Sequence, residues 1–360
     1  DEAESILKKV VKRQLISDTK VGCQLSGGID SSLITKICAE DYGIKDTISC
    51  ITDTNYQTDA PYIRRVVNDL NLNSYTIDMN SEIFIDKLVD IIWHFERPLS
   101  HTPATGMFQI SKCSEENGIT VLLSGEGADE MFGGYKEFLE TALPDKKLNE
   151  DDLIDAIVFR EGKDQFNDLE SIFPGVRAER FYEERITRLK HFTGSPFDKH
   201  LKYETSVQLV ELLNRQDRMS MTHSIENRVP FLDNEMVDFA WKLPRTTLMD
   251  LDKRSGKYVL KELATRYFDC DFSYRKKVGF FIPGNRYLCE NTSFMNNILS
   301  RIEKRGIIQA DLIKQWAKKD ALQTGGLNHF QSAVFLKAIT FEIWCELFLD
   351  GKTVEECKAF

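Results

Sequence analysis

The sequence of 360 residues lacks the patterns that mark metal-bound and disulfide-bonded proteins. Its eight cysteines form no Cys-x-x-Cys pair, and its six histidines are scattered without metal-ligand spacing. We therefore expect neither a zinc site nor a disulfide framework, and we predict a cytoplasmic protein with reduced thiols. The charged first fourteen residues contain no apolar segment of the kind that a secretory signal needs.

Long hydrophobic runs and an excess of positive charge are also missing. The most apolar stretch, Ser332–Leu349, is interrupted by Lys337, Glu342 and Glu346, so it predicts a buried amphipathic helix rather than a membrane span. Lysine plus arginine number 47 against 57 for aspartate plus glutamate, which gives a formal net charge of −10. Because nothing in this balance attracts phosphodiester backbones, we expect no nucleic-acid partner, and we expect no membrane partner.

Short apolar runs alternate with helical patterns over the first 140 residues. Amphipathic helical patterns separate four predicted strands, which are Val21–Leu25, Thr47–Thr52, Ser74–Met79 and Ile119–Leu123. This alternation indicates an α/β fold with a doubly wound parallel sheet, covered by helices on both faces. The remaining residues carry mostly helical patterns, including one long helix over 203–224 that is followed by an interruption at 229–233.

The segment SGGIDSS, residues 26–32, directly follows the first predicted strand and precedes a helix. Glycines let a backbone approach a phosphate closely, a helix start attracts anions, and Asp30 suits a phosphate-bound Mg²⁺. Neither of the common glycine-rich nucleotide motifs, Gly-x₄-Gly-Lys-Ser/Thr or Gly-x-Gly-x-x-Gly, occurs at this place. The alternative is a plain serine–glycine turn in which Asp30 only begins a helix.

A second acidic segment, SGEGADE at residues 124–130, follows the fourth predicted strand. The carboxyl ends of parallel strands lie at one edge of a sheet, so Asp30 and Asp129 are predicted to meet there and to hold Mg²⁺ together. Glu126 adds another acid to the same loop. The alternative is an acidic turn at the start of a helix.

Together with two later blocks, these segments make the sequence resemble the synthetase domain of the glutamine-hydrolysing asparagine synthetase family. The blocks occur in the family's order and read SGGIDSS, SGEGADEMFGGY, DRMSM leading into SIENRVPFLD, and RKKVGF. The resemblance implies the fold of PP-loop ATP-pyrophosphatases and the use of ATP and Mg²⁺. It also implies that a carboxylate is activated as an acyl-adenylate, that AMP and pyrophosphate are released, and that an amine attacks to form an amide.

The resemblance assigns roles to individual residues. It implies that ATP is bound at Leu25, Ser26, Gly27, Gly28, Asp30, Ser31, Ser32, Cys50, Ser124 and Gly125. Asp30 and Asp129 correspond to the metal-binding carboxylates, and Glu126 corresponds to the acid beside the reacting acyl group.

Two further catalytic positions come from the later blocks. Lys277 corresponds to a lysine suited to the α-phosphate, where negative charge grows as pyrophosphate leaves, and Glu226 corresponds to a second acid near the site. The alternatives are a solvated surface lysine and, for Glu226, an ion pair with Arg228 or Arg218.

The resemblance also implies an organisation of the chain. Residues 1–140 form the nucleotide-binding core, and residues 141–360 form a mostly helical part from which residues 201–283 return to the site. The family's glutaminase begins with a nucleophilic cysteine, whereas this chain begins with Asp1 inside the synthetase pattern. We therefore expect the glutaminase to be absent from this chain, and the amine to come from ammonia or from a separate glutaminase domain or subunit.

The identity of the small-molecule carboxylate stays open at this stage. Arg97 stands where relatives often have glutamate before a proline, and residues 51–59 lack the glycine usual after the second strand. Aspartate, a sugar acid, a peptide or an antibiotic precursor would each be compatible, and ring-closing relatives use an internal amine.

Two functions outside this class are weaker alternatives. A PP-loop enzyme that modifies tRNA bases would have a basic face and often reactive cysteines, and a sequence pI of about 5.3 argues against it. A catalytically inactive assembly subunit would have lost Asp30, Asp129 or Lys277, and all three are present.

Overall fold

The computed structural model describes residues 1–52, 59–143, 148–159, 165–276, 279–321, 327 and 329–359. Strands and helices alternate in its first third, as the sequence predicts. The strands of the main sheet are β1 Val21–Gln24, β2 Asp46–Thr52, β3 Asn73–Met79, β4 Val121–Leu123 and β5 Glu226–Arg228. The helices around the first four strands are α1 Glu2–Gln14, α2 Ile29–Tyr42, α3 Ala60–Leu70, α4 Ser81–Phe95 and α5 Pro103–Glu116.

Helices dominate the chain after β4. They are α6 Ala128–Phe132, α7 Phe138–Ala142, α8 Glu150–Ile157, α9 Gln165–Ile172, α10 Ala178–His191, α11 Pro196–Tyr203, α12 Leu209–Met221, α13 Asn234–Lys242, α14 Arg245–Leu248, α15 Tyr258–Ala264, α16 Cys270–Tyr274, α17 Gly284–Glu290, α18 Thr292–Arg305, α19 Ala310–Ala321, α20 His329–Phe348 and α21 Val354–Cys357. A two-stranded antiparallel hairpin, β6 Met249–Asp250 and β7 Ser255–Gly256, separates α14 from α15. Within the described ranges, no helix is both long and apolar enough to cross a membrane.

The main sheet is entirely parallel, and its strand order is β3-β2-β1-β4-β5. Strand β1 lies between β2 and β4. The chain therefore builds the sheet outward in one direction from β1 to β3 and in the other direction from β4 onward, and the strand order reverses between β1 and β4. Ligands of open α/β sheets bind at such a reversal, beyond the carboxyl ends of the strands. The loops after β1 and β4 both begin at this point.

Two hydrophobic cores cover the two faces of the sheet. Alternate residues of a strand point to opposite faces, and β4 follows this rule: Val121 and Leu123 belong to one core, whereas Leu122 belongs to the other. The first core includes buried residues of α1, α2 and α15, and the second includes those of α4, α5 and α20. The predicted doubly wound α/β class with a mostly helical C-terminal part is thereby confirmed.

Two of the predicted elements differ from the structure. The long helix expected over 203–224 consists of α11's last residue, a π-helical turn at Glu204–Gln208 and then α12. Strand β5 was not predicted, because Glu-Asn-Arg has no apolar alternation. Its placement depends on backbone hydrogen bonds to β4 and its flanks, such as Ser124 N–H to the Arg228 carbonyl at 2.9 Å. The boundary near residue 140 remains a prediction, and chain on both sides of it contributes to both cores.

The most apolar stretch forms α20, as predicted. Phe335, Ile339 and Ile343 are fully buried, and two of its charged residues are buried as well. Glu342 pairs with Arg305 at 2.8 Å, and Glu346 pairs with Arg301 at 2.7 Å. These ion pairs explain how a buried helix accommodates carboxylates.

Candidate active site

The loop after β1 forms a cradle of backbone groups at the start of α2. Gly27 has a φ of +78°, a conformation that favours glycine, and Gly28 is the N-cap of α2 without a side-chain cap. Ser26 and Ser31 hold the loop together, with 3.0 Å between their hydroxyl oxygens. The first N–H groups of a fourteen-residue helix therefore point toward this loop, which is an arrangement that attracts phosphate.

The loop after β4 lies directly against this cradle. A side chain at Gly125 would come within 2.8 Å of the Ser31 nitrogen, so only glycine permits the contact. The Gln216 amide of α12 donates a hydrogen bond of 2.9 Å to the Ser124 hydroxyl. The two predicted motifs are thus adjacent, which brings Asp30 and Asp129 to one place.

A buried lysine lies between these two aspartates. The Lys257 ammonium is 2.6 Å from Asp30 Oδ2 and 2.9 Å from Asp129 Oδ1, and the residue is only 4% exposed. Burial lowers the pKa of Lys257, but the combined attraction of Asp129 and Asp30 outweighs it and raises that pKa well above its usual value. The lysine is therefore charged and neutralises much of the negative charge at the site.

Lys257 was not found by sequence reasoning. It lies in the left-handed region, with a φ of +57°, immediately before α15 and after the hairpin of β6 and β7. Gly256 makes this approach possible, because a side chain there would overlap the Gly133 carbonyl. A single lysine after a glycine gives no periodic or spacing signal, so only the folded geometry reveals its contact with the two acids.

The two aspartates fit Mg²⁺ as part of a shared coordination shell. Asp30 Oδ1 is buried and has no hydrogen-bond partner among the described residues, so one carboxylate oxygen remains available. The described residues contain no group of three or more side chains that would hold a metal by themselves. Mg²⁺ prefers six oxygen ligands and usually retains water and phosphate, so the donor set fits a phosphate-bound ion better than a free one.

The carboxyl group of Glu130 follows Asp129 directly in α6. Glu130 is 1% exposed and accepts a short hydrogen bond from the Tyr135 hydroxyl. Burial raises the pKa of Glu130 to about 7, with smaller contributions from the charges of Asp129 and Glu126, while the Tyr135 bond opposes the shift. The pKa of Tyr135 is raised far above its usual range, first by burial and then by Glu130.

Arg215 of α12 lies within electrostatic reach of Glu126, Tyr135 and Glu130. It is 8% exposed, and burial lowers its pKa although the charge of Glu126 opposes the shift most strongly. Glu126 lies in the loop after β4, as the sequence predicts. It is half-buried there and lies within the electrostatic reach of Arg215.

Two of the predicted ATP-binding positions, Leu25 and Cys50, are buried. Leu25 is fully buried, its N–H donates to the Ile48 carbonyl at 2.9 Å, and its carbonyl accepts from the Ser49 hydroxyl at 2.7 Å. Cys50 is 9% exposed in β2, and burial raises the pKa of its thiol to about 12.

An arginine from the fourth motif supports the loop after β1. The Arg275 guanidinium donates to the Gly27 carbonyl at 2.7 Å and pairs with Asp59 at 2.7 Å. It also lies over the Tyr62 ring, 3.9 Å from the ring centroid. The fourth motif, RKKVGF, therefore reaches the phosphate cradle through Arg275. The predicted catalytic Lys277 lies outside the described residues, and so do residues 53–58 of the segment after β2 that lacks the usual glycine.

The structure does not bring Glu226 to the site. Its strand position is opposite Val121, at the amino end of β4, whereas the site lies beyond the carboxyl end of that strand. Its exposed carboxylate pairs with Arg228 at 2.8 Å, which is one of the two alternatives that the sequence left open. Arg218, the other alternative, pairs with Glu96 instead.

The fold and this site are those of an α/β protein with acidic loops at the reversal of a parallel sheet. A family model described as asparagine synthase matches residues 2–346. The chain belongs to the asparagine synthase family, and the resemblance seen in the sequence is confirmed.

Individual relatives agree with this assignment. Asparagine synthetase [glutamine-hydrolyzing] 1 of Bacillus subtilis (strain 168) is 29% identical over 334 residues, which cover 83% of this chain and 52% of the relative. Asparagine synthetase [glutamine-hydrolyzing] 3 of the same organism is 28% identical over 76% of this chain and 47% of its own length. Amidase chry2 of Gibberella zeae is 23% identical over 93% of this chain and 59% of the relative. The chain thus spans about half the length of these curated relatives.

Proposed function

We propose that this chain is an ATP-dependent carbon–nitrogen ligase that forms an amide through an acyl-adenylate, with release of AMP and pyrophosphate. Family membership supports an amide ligase, and the observation that carries the proposal is the convergence of Asp30, Asp129 and Lys257 beside the α2 cradle. Phosphate, Mg²⁺ and a buried cation are the elements that such a reaction needs at one point.

The cradle and the aspartates would receive Mg²⁺·ATP. The N–H groups of Gly27, Gly28 and the first turn of α2 would bind the pyrophosphate part, which becomes the leaving group. Asp30 and Asp129 would hold Mg²⁺, which when bound neutralises charge on the departing pyrophosphate. Once the aspartates turn to the metal, the Lys257 ammonium is available for a phosphate oxygen.

The acyl side of the reaction would lie toward Glu126. This carboxylate would accept a proton from the attacking amine, and its position in the loop that leads to Asp129 supports this role. We retain Lys277 as a second proposed cation for the α-phosphate. The amine would be ammonia or would come from a glutaminase domain or subunit, and a cytoplasmic setting would supply ATP.

The test is product analysis with the purified chain. A panel of carboxylic acids, aspartate included, is incubated with Mg²⁺·ATP and ammonia, and AMP, pyrophosphate and amide are measured. We expect acid-dependent AMP and pyrophosphate in equal amounts, and a loss of at least 100-fold in Asp30→Asn and in Asp129→Asn, roughly the loss of a metal-assisted electrostatic contribution.

Asp252→Asn is the matched control, because Asp252 is exposed in the hairpin turn near the site. It should retain the activity of the unmodified chain. Formation of ADP and phosphate, or full pyrophosphate release by both aspartate variants, would overturn the proposal.

A further inference from the structure

A cavity of about 550 Å³ lies beside α12, and most of the charged side chains that line it are cationic. Its described lining contains Arg97, Arg185, Arg215 and Lys337 but only one carboxylate, that of Glu211. Glu211 pairs with Arg97 at 2.9 Å, so three cationic side chains are left without a carboxylate of the cavity as partner. An excess of positive charge in a concave, partly desolvated space attracts anions.

Lys337 is the clearest of these cations. It is one of three charged residues on α20, and the other two, Glu342 and Glu346, form ion pairs with arginines of α18. Lys337 has no such partner among the described residues, and its side chain is accessible to solvent inside the cavity. A bound anion would supply a counter-charge for this ammonium.

The cavity also borders the part of α12 that contacts the loop after β4. Arg215 lines the cavity, and its buried Nε has no hydrogen-bond partner among the described residues. The next residue, Gln216, donates a hydrogen bond to Ser124 in the loop after β4. The negative charge of Glu126 opposes the lowering of the Arg215 pKa by burial. A molecule in the cavity can therefore contact both Lys337 and Arg215, and Arg215 lies within electrostatic reach of Glu126.

The lining also contains apolar and aromatic side chains. Phe95, Phe173, Tyr182, Phe330 and Phe341 are among the lining residues. Arg97 lies over the Phe95 ring at 4.5 Å, and Arg185 lies over the Tyr182 ring at 5.7 Å, so the charged groups are held against aromatic faces. The volume falls within the range of roughly 300–1,000 Å³ that takes drug-sized ligands, which is more than a four-carbon amino acid fills.

We propose that the carboxylic acid activated by this chain has an apolar or aromatic body and a second anionic group. The reacting carboxyl lies at the Arg215 end, and the second anionic group lies by Lys337 and Arg185. This inference rests on the proposed function, since it names the class of acid for that same site.

The test measures binding as well as turnover. The probes are 1,4-phenylenediacetate, its monomethyl ester and aspartate, each titrated calorimetrically into the chain and assayed for AMP formation. We expect the diacid to bind at least tenfold more tightly than the monoester and aspartate. In Lys337→Gln and in Arg185→Gln the preference over the monoester should fall below threefold, with Mg²⁺·ATP affinity unchanged.

Two further variants serve as controls. Arg188→Gln lies on the same helix as Arg185 and pairs with Glu184 at the surface, so it should retain the preference. Lys337→Arg keeps the charge and should retain it as well, which separates loss of charge from loss of folding.

The possible outcomes separate this inference from the proposed function. AMP formation with aspartate or the monoester but without tighter diacid binding would overturn the inference alone. Tighter diacid binding that survives in the Lys337→Gln, Arg185→Gln double variant would also overturn it. Diacid selectivity that depends on Lys337, without AMP formation from any acid, would support the cavity assignment and contradict the ligase.

Discussion

At the scale of single residues, Lys257 supplies the positive charge between the two aspartates of the site. Its ammonium contacts both Asp30 and Asp129, and its burial leaves it little contact with bulk water. Two adjacent carboxylates without a cation repel each other strongly, because a partly dry environment screens their charges little. The lysine and Mg²⁺ are therefore expected to compete for the same pair of acids.

This competition predicts the behaviour of Lys257→Met. Removal of the cation leaves two acids uncompensated, so the variant should lose about 3–5 kcal/mol of stability in the absence of metal. Saturating MgCl₂ should recover about 2–3 kcal/mol, since a ligand at roughly 100 times its dissociation constant stabilises by that amount. Thermal unfolding of both proteins with and without MgCl₂ measures the difference.

Lys253→Met is the control for this prediction. Lys253 is exposed and pairs with Asp250 at 3.5 Å in the nearby turn, so its loss should change neither stability nor the response to MgCl₂ appreciably. Equal shifts with MgCl₂ in Lys257→Met and in the unmodified chain would show that the aspartates do not share a cation site.

At the scale of secondary-structure elements, the loop after β1 depends on a segment more than 200 residues away. Arg275, at the end of α16, holds the Gly27 carbonyl, while its pairing with Asp59 connects the loop to the start of α3. A planar guanidinium can donate in two directions and still stack on the Tyr62 ring, which a lysine cannot do. The shape of the cradle is thus maintained by α3 and α16 together.

Arg275→Lys should accordingly weaken nucleotide binding. Without the guanidinium contacts, Gly27 loses its support and the Asp59 carboxylate loses its ion pair near the phosphate position. We expect the affinity for Mg²⁺·ATP to fall about tenfold, equivalent to about 1.4 kcal/mol, as measured by isothermal titration calorimetry.

A neighbouring arginine provides a matched control for Arg275→Lys. Arg65 of α3 pairs with Asp269 at 2.7 Å and lies over the Phe272 ring at 5.5 Å, but its contacts do not include the cradle. Arg65→Lys should therefore leave nucleotide affinity unchanged. A similar loss of affinity in both variants would attribute the effect to general loosening of α3 and α16.

The elements that the sequence predicts best are those with a regular pattern. Strands β1 to β4 differ from the predicted ranges by at most two residues at each end, because apolar periodicity reports burial directly. Strand β5 lacks such a pattern and depends on backbone pairing with β4. No local signal identifies it.

The same distinction applies to the site. Asp30 and Asp129 follow predicted strands, so the rule for parallel sheets brings them together from sequence alone. Lys257 and Arg275 come from irregular segments after the sheet is complete, and their contacts arise from packing between distant parts of the chain. Glu226 shows that a residue within a matching motif can still lie away from the site, because it stands at the amino end of β5 and not at the carboxyl end.

At the scale of the whole molecule, Glu130 connects the site to the stability of the fold. It belongs to α6, whose buried residues Ala128, Met131 and Phe132 are part of the first core, and its own side chain is buried with them. Unfolding exposes this carboxyl to water, so the pKa of Glu130 returns from about 7 to about 4.5. Between those values the folded chain binds more protons than the unfolded chain does.

Stability should consequently fall as the pH rises from about 4.5 to about 7, by about 1.4 kcal/mol per pH unit for this group alone. Glu130→Gln cannot titrate, yet its amide oxygen can still accept the Tyr135 hydrogen bond. The variant should therefore gain about 3 kcal/mol relative to the unmodified chain between pH 4.5 and pH 8, since the other titrating groups are common to both. Urea unfolding of the two proteins at both pH values measures this relative change. A difference that is the same at both pH values would mean that Glu130 is ionised in the folded chain throughout this range, which would contradict the raised pKa.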